Sequence, residues 1–127
     1  MNDYFAEVSH TLADIEQWFA GTDDRNVLKR LLARFSPAFS MIAPNGDSLD
    51  VAGLQALFEK LGGARPGLRI ELSEWHNIDQ HAGGASVSYR ELQSDASGVL
   101  NDRRATAVLE RQASGALLWR HLHETFC

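Results

Sequence analysis

The sequence LLWRHLHETFC at residues 117–127 decides the fold class of this 127-residue chain, because it has the pattern of one strand that borders a pocket. It is short enough for a single strand, and one alternate set of its positions is apolar. Trp119, His121 and His123 occupy the other set, so we predict that their side chains share one face of the strand. Glu124 then points to the opposite face. We expect the aromatic and histidine face to form one wall of a pocket.

Three further strand patterns precede residues 117–127, and short turns separate them. The first starts at residue 68 and ends in a loop at residues 79–84, and the next two occupy residues 85–93 and 99–111. Long consecutive strands joined by short turns form an antiparallel meander. Because strands of about ten residues must coil, we expect the sheet to enclose a cone-shaped cavity.

The first half of the chain has the three- and four-residue spacing of apolar positions that is typical of helices. The first predicted helix begins at a cap at Asn2 or Asp3 and ends at Gly21. The second begins at a cap at Thr22 and continues until Pro37 prevents further helix. Its short connection to the first helix predicts that the two helices are neighbours.

A short strand and a third helix complete this half of the chain. Alternation predicts the strand at residues 39–43, and Pro-Asn-Gly at residues 44–46 closes it with a turn. Ser48 or Asp50 opens the third helix, and a glycine pair at residues 62–63 ends it. Three helices followed by a meander is an α+β arrangement in which the helices cover one face of the sheet.

The composition narrows the possible partners. The length predicts one domain over residues 1–127, and 44% hydrophobic with 23% charged residues is typical of a globular protein. The net charge of −5 disfavours nucleic acid as a partner. Cys127 is the single cysteine, and we find no signal-peptide pattern and no apolar run of about 20 residues. We therefore expect a cytoplasmic protein that does not bind membranes.

Three stretches carry a resemblance to a known superfamily: FSPAFSMIAPNG at residues 35–46, VSYRELQ at residues 87–93 and LLWRHLHETF at residues 117–126. Together with the order of the elements, they resemble the nuclear transport factor 2-like superfamily, and within it the SnoaL-like and ketosteroid-isomerase-like small bacterial proteins. The resemblance implies three N-terminal helices packed on a strongly curved, mainly antiparallel sheet that forms a cone with a pocket. It also implies a homodimer, since members are commonly dimers.

The catalytic residues of the ketosteroid isomerases do not carry over to this chain. Those enzymes place an aspartate immediately before the proline that ends the short strand, and here that position is Ala43, before Pro44. Their oxyanion tyrosine lies on the first helix, where this chain offers Trp18 or Phe19. A methyl group cannot abstract a proton, so the isomerase mechanism is not supported and the catalytic residues are left unassigned.

The remaining polar and aromatic side chains define the candidate pocket. His121 or Glu91 could act as an acid or base, Tyr89 could donate to an oxyanion, and Arg104 or Arg90 could bind an anionic group. The alternative is that such Arg–Glu pairs only tie neighbouring strands together. Arg103 and Arg104 cannot both point inward, and alternation alone does not choose between them. The ligand-pocket candidates are Trp18, Trp75, Tyr89, Glu91, Arg104, Trp119, His121 and His123.

No cofactor and no metal is indicated, because two histidines alone seldom make a metal site. The favoured function is binding of a small hydrophobic or acidic molecule in the cone. One alternative is a non-catalytic association module that forms a homodimer through the open face of the sheet. Another is a SnoaL-like lyase or isomerase that uses His121 or Glu91.

Overall fold

Three helices and six strands make up the computed structural model, which describes residues 2–127. The helices are α1 (Asp3–Ala20), α2 (Arg25–Leu32) and α3 (Val51–Leu61). The strands are β1 (Phe35–Ile42), β2 (Ser48–Asp50), β3 (Arg69–His81), β4 (Gly84–Asp95), β5 (Gly98–Arg111) and β6 (Leu117–Phe126). The predicted α+β class, with three N-terminal helices on a curved sheet, is confirmed.

The six strands form one sheet in the order β2-β1-β6-β5-β4-β3. Strands β3 to β6 form the predicted antiparallel meander, and only β1 and β6 pair in parallel. Register shifts occur in the pairings β3–β4, β4–β5, β5–β6 and β1–β6. Because each such irregularity bends a strand and increases its twist, the long strands coil instead of lying flat.

The helices begin at side-chain caps that the sequence only partly resolves. Asn2 Oδ1 accepts from the backbone N–H of Phe5 at the start of α1, and Asp50 Oδ1 accepts from that of Gly53 at the start of α3. Helix α2 is capped by Asp24 and not by Thr22. In each case the oxygen satisfies a backbone donor that has no partner within the helix.

Helix α2 also ends earlier than the apolar pattern predicts. It stops at Leu32, and Phe35 already belongs to β1, where it pairs with Trp119 of β6. The backbone N–H of Trp119 donates to the carbonyl of Arg34 at 2.8 Å. Pairing with β6 therefore overrides the helical pattern before Pro37 is reached.

Two other boundaries differ from the sequence prediction. Residues 48–50 form the short strand β2, which the helix-capping pattern at Ser48 and Asp50 had hidden. The predicted loop at residues 79–84 is instead a tight hairpin, with β3 continuing to His81 and β4 starting at Gly84. In both regions, backbone pairing with a neighbouring strand adds residues to the sheet. The alternation of side chains along the sequence does not predict this pairing.

Ion pairs hold α1 and α2 together over the sheet. The carboxylate of Asp14 on α1 accepts from Arg30 on α2 and from Arg34 just after it, and Arg34 also donates to Glu7. Asp14 is buried, so these contacts replace the water that its charge loses. These ion pairs hold α1 in position against α2, and α1 forms one wall of the interior.

Candidate functional site

A cavity of about 560 Å³ lies between the sheet and helices α1 and α3. This volume falls within the range of small-molecule sites, about 300–1,000 Å³. Its lining combines side chains from both helices with those of β1, β4, β5 and β6. The lining residues are Thr11, Leu12, Ile15, Phe19, Phe35, Met41, Ala43, Pro44, Asn45, Leu49, Leu54, Leu57, Phe58, Leu61, Arg65, Tyr89, Glu91, Gln93, Arg103, Trp119, Leu122, Glu124 and Phe126.

The cavity has apolar walls and one polar end. Both helices contribute aliphatic and aromatic side chains apart from Thr11, while the polar end is formed by β4, β5 and β6. Glu91 and Gln93 come from β4, Arg103 from β5 and Glu124 from β6. Arg65, Asn45 and Phe126 are exposed and mark the mouth of the cavity.

Sheet register brings the polar end together. Glu91 of β4 pairs with Arg103 of β5, and Ala105 of β5 pairs with both Tyr89 of β4 and Glu124 of β6. Directly paired residues point to the same face of a sheet. Ala105 therefore lies between Tyr89 and Glu124 on the same face of the sheet.

Hydrogen bonds connect these polar side chains in a row. Arg103 donates from Nη1 to Glu124 Oε1 at 3.0 Å and from Nε to Asn101 Oδ1 at 2.9 Å. Asn101 donates to Gln93 Oε1 at 3.0 Å, and Gln93 donates from Nε2 to Glu91 Oε2. The two carboxyl groups are thus the two ends of one network with Arg103 inside it.

Burial controls the charge of the two carboxyl groups. Burial, and secondarily the nearby Glu91 charge, raises the pKa of Glu124 from 4.5 to about 7, although Arg103 acts in the opposite direction. Burial likewise raises the pKa of Glu91, against the hydrogen bond from Gln93 and the charge of Arg103. A carboxyl group with a pKa near 7 can both give and accept a proton at neutral pH.

The hydroxyl of Tyr89 is buried and has no hydrogen-bond partner among residues 2–127. Tyr89 is 1% exposed, and burial together with the nearby carboxylates raises the pKa of its phenol well above the usual value. The hydroxyl therefore stays protonated. An unpartnered buried hydroxyl costs about 1–3 kcal/mol, so this group is suited to a ligand that would supply the missing partner.

Three of the eight predicted pocket residues line the cavity: Tyr89, Glu91 and Trp119. Tyr89 and Glu91 share the inward face of β4 with Val87 and Gln93, as alternation predicts. Trp119 is 1% exposed, and its Nε1–H donates to Thr11 Oγ1 of α1 at 3.1 Å. Its indole closes the cavity on the side of α1.

His121 and His123 lie on the other face of the sheet, so the prediction that they share the face of Trp119 is corrected. Trp119 pairs with Leu109 and His121 pairs with Val108, so Arg120 is an extra residue in β6. This bulge reverses the alternation between Trp119 and His121. His121 Nδ1 instead lies 2.7 Å from Ser40 Oγ, and His123 is exposed.

Trp18, Trp75 and Arg104 are also placed outside the cavity. Trp18 donates to the carbonyl of Phe58 at 2.7 Å and lines a separate groove with the loop after α1. Trp75 stacks on Phe5 and on Tyr89, behind the cavity wall. Arg104 lies on the outer face of the sheet and binds Glu74.

Sequence reasoning missed Glu124, Arg103 and Gln93 as members of the polar end. Gln93 could have been found, because it shares the alternate set of Tyr89 and Glu91. The register of β4 and β5 decides that Arg103 and not Arg104 faces inward. The bulge at Arg120 turns Glu124 into the cavity, and no residue in the sequence LLWRHLHETFC predicts that bulge.

Two further properties concern residues 2–127. The described side chains include no cluster of three or more His, Cys, Asp or Glu residues that could hold a metal ion. None of the described helices has the length and apolar character to cross a membrane.

A coiled sheet covered by helices, with a cavity at its concave face, defines the cone-shaped α+β class to which the nuclear transport factor 2-like (NTF2-like) proteins belong. The chain is a member of this NTF2-like superfamily. It is 45% identical to an NTF2-like protein of unknown function from Pseudomonas aeruginosa, with a TM-score of 0.93 and 98% of each chain covered. The resemblance drawn from the sequence is confirmed.

More distant solved structures share the fold alone. A putative calcium/calmodulin-dependent protein kinase type II association domain from Thiobacillus denitrificans is 20% identical, with a TM-score of 0.75 over 97% of this chain and 94% of that one. Aln2 from a Streptomyces species is 16% identical, with a TM-score of 0.73 over 99% and 92%. No family model and no curated protein sequence matches the chain.

The position that holds the isomerase aspartate in the resemblance does face this cavity. Ala43 follows β1 and lines the cavity beside Pro44. The site therefore presents a methyl group at that position, and its ionisable groups come from β4, β5 and β6 and, at the mouth, from Arg65.

Proposed function

We propose that the protein binds a small molecule with a largely apolar body in the cone. The observation that carries this proposal is a cavity of about 560 Å³ that has apolar walls and, at one end, the unpartnered hydroxyl of Tyr89. Apolar walls supply most of the binding free energy of such sites, and a few polar groups orient the ligand. If the site also catalyses a lyase or isomerase reaction, Glu91 and Glu124 are its acid–base groups, because His121 lies outside.

A thermal-shift screen of small amphipathic molecules tests this proposal. A ligand present at 100 times its Kd should raise the Tm of the wild type by about 10 °C. Ala43→Phe places a ring in the cavity and should abolish the shift, whereas Ala56→Phe, on the exposed side of α3, should retain it. Ligands that stabilise both variants equally would place binding elsewhere and contradict the proposal.

Association of two copies is a second function that the structure supports. The outer face of the sheet has no described helix over it, and its central side chains Ser88, Thr106, Val108 and His121 are half-buried and mostly small. We propose that a second copy of this chain covers that face. The name "association domain" carried by two proteins of the same fold agrees with this proposal. Sedimentation of the wild type at micromolar concentration tests it, and a monomer there would contradict it.

A further inference from the structure

The polar end of the cavity contains more acidic than basic side chains. Glu91 and Glu124 face one guanidinium, that of Arg103. The neutral amide of Gln93 donates to Glu91, and the neutral amide of Asn101 links Gln93 to Arg103. All three charged side chains are largely withdrawn from water. With both carboxyl groups ionised, the cluster carries one uncompensated negative charge, which is costly in a buried site.

Each carboxyl group also has one oxygen left for a ligand. Arg103 binds Glu124 Oε1, and Gln93 binds Glu91 Oε2. Glu124 Oε2, Glu91 Oε1 and the Tyr89 hydroxyl make no hydrogen bond with any residue in the described part of the chain. The polar end therefore offers three free acceptors.

An ammonium group is the complement of these three acceptors and of the missing charge. It carries three N–H donors, no acceptor and one positive charge. A carboxylate or phosphate group would instead meet two carboxyl groups and a guanidinium that is already engaged. The acidic ligand expected from the sequence was motivated by Arg104 or Arg90, which both lie on the outer face and bind Glu74.

We propose that the cavity selects small molecules with a protonated primary amine attached to an apolar body, the amine being held by Glu91, Glu124 and Tyr89. This inference rests on the proposed binding function and adds the chemical class of the ligand. The apolar body would contact the aromatic rings of Phe35 and Trp119, which line the same cavity.

Binding of such a cation is linked to protons. An ammonium group beside the two carboxyl groups favours their ionised forms, so binding at neutral pH should release a proton. The other ionisable side chains that line the cavity are Tyr89, Arg103 and, at the mouth, Arg65, while α1 and α3 contribute none. Since arginine and a buried phenol keep their charge states near neutral pH, the carboxyl pair governs this effect.

Calorimetric titration with three probes of the same shape tests the inference: 4-phenylbutylamine, 4-phenylbutan-1-ol and 4-phenylbutanoate. We expect the amine to bind at least tenfold more tightly than the alcohol and the acid to bind most weakly. The affinity for the amine should rise about tenfold from pH 6 to pH 8. Titration of the wild type in buffers of different ionisation enthalpy should show proton release, and this measurement needs no variant.

Two substitutions serve as a matched pair in the same titrations. Glu124→Gln removes one negative charge from the cavity and should reduce both the preference for the amine and its pH dependence. Glu71→Gln removes a charge from the exposed surface of β3 and should change neither.

The outcomes separate this inference from the binding function. Three results would contradict the inference that the ligand has a cationic head group. They are tighter binding of the alcohol or the acid, proton uptake on binding of the amine, and no binding of the amine. In those cases a ligand of another class that stabilises the wild type and not Ala43→Phe would still establish the cavity as a binding site. Amine binding that Ala43→Phe leaves intact would overturn both proposals.

Discussion

Glu124 shows at the scale of one residue how the fold changes the chemistry of a side chain. On a solvent-exposed strand its carboxyl group would be ionised at neutral pH, but here it is 5% exposed and lies beside a second carboxyl group. Its pKa is raised to about 7, mainly by burial. The folded protein therefore holds a proton there that the unfolded chain releases at lower pH.

The raised pKa of Glu124 predicts that stability falls as the pH increases. Below pH 4.5 the group is protonated in both states, whereas between pH 5 and 8 the unfolded state loses its proton first and becomes relatively more stable. Glu124→Gln, which mimics the neutral acid, should have little effect at pH 5. At pH 8 it should raise the free energy of unfolding by an amount on the order of 1–3 kcal/mol. Urea denaturation at several pH values measures this.

Glu71→Gln is the control for that experiment, since Glu71 is exposed on β3. It should follow the pH profile of the wild type. A wild type whose stability rises between pH 5 and pH 8, or a Glu124→Gln variant with an unchanged profile, would contradict the prediction.

Residue patterns predict part of the polar end and not the rest. Tyr89 and Glu91 could be assigned to one face because β4 alternates without interruption from Val87 to Gln93. The choice between His121 and Glu124 depended on the single extra residue Arg120. A bulge costs little locally and depends on the neighbouring strand, so the sequence of β6 alone does not reveal it.

At the scale of elements, the β3–β4 hairpin sets the position of the inward-facing residues of β4. Gly84 starts β4 with φ of 153°, and a Cβ atom there would lie 2.1 Å from the carbonyl oxygen of Leu109 on β5. This close approach depends on the absence of a side chain. Gly84 therefore helps to fix the register that places Tyr89 and Glu91 in the cavity.

Gly84→Ala should destabilise the protein more than Gly98→Ala does. Both glycines have positive φ, 153° and 118°, but a Cβ atom at Gly98 meets nothing within 4 Å. The steric conflict with Leu109 should add about 1–3 kcal/mol to the cost that both substitutions share. Urea denaturation of the two variants gives the difference directly. Equal losses would show that β4 and β5 move apart without cost at this position.

At the scale of the whole molecule, the two faces of the sheet differ in what covers them. Helices α1 and α3 pack against the inner face, and the cavity lies beneath them. The outer face carries Arg90, Asp102, Arg104 and Glu74, which pair with one another at its edge, while its centre has no acidic, lysine or arginine side chain among Ser88, Thr106, Val108 and His121. Such a centre with a paired rim is suited to contact with a second copy.

Thr106→Arg should weaken the proposed dimer. Thr106 lies near the centre of the outer face, where it pairs with Ser88 and His123. A guanidinium there would be buried without a partner in both copies, so the dissociation constant should rise at least tenfold, about 1.4 kcal/mol. Ala56→Arg, on the exposed side of α3, should leave it unchanged. Sedimentation equilibrium measures both, and an equal effect of the two substitutions would place the interface elsewhere.

The sequence by itself determined the α+β class, the meander, the face that Tyr89 and Glu91 share on β4 and the absence of the isomerase aspartate at Ala43. These depend on local periodicity, turn residues and motif position, which a single chain displays. Only the tertiary structure decided that residues 117–126 turn Glu124 inward and both histidines outward, and that Arg103 joins two buried carboxyl groups. Strand register and bulges result from pairing between segments that are distant in the sequence, so no local sequence pattern predicts them.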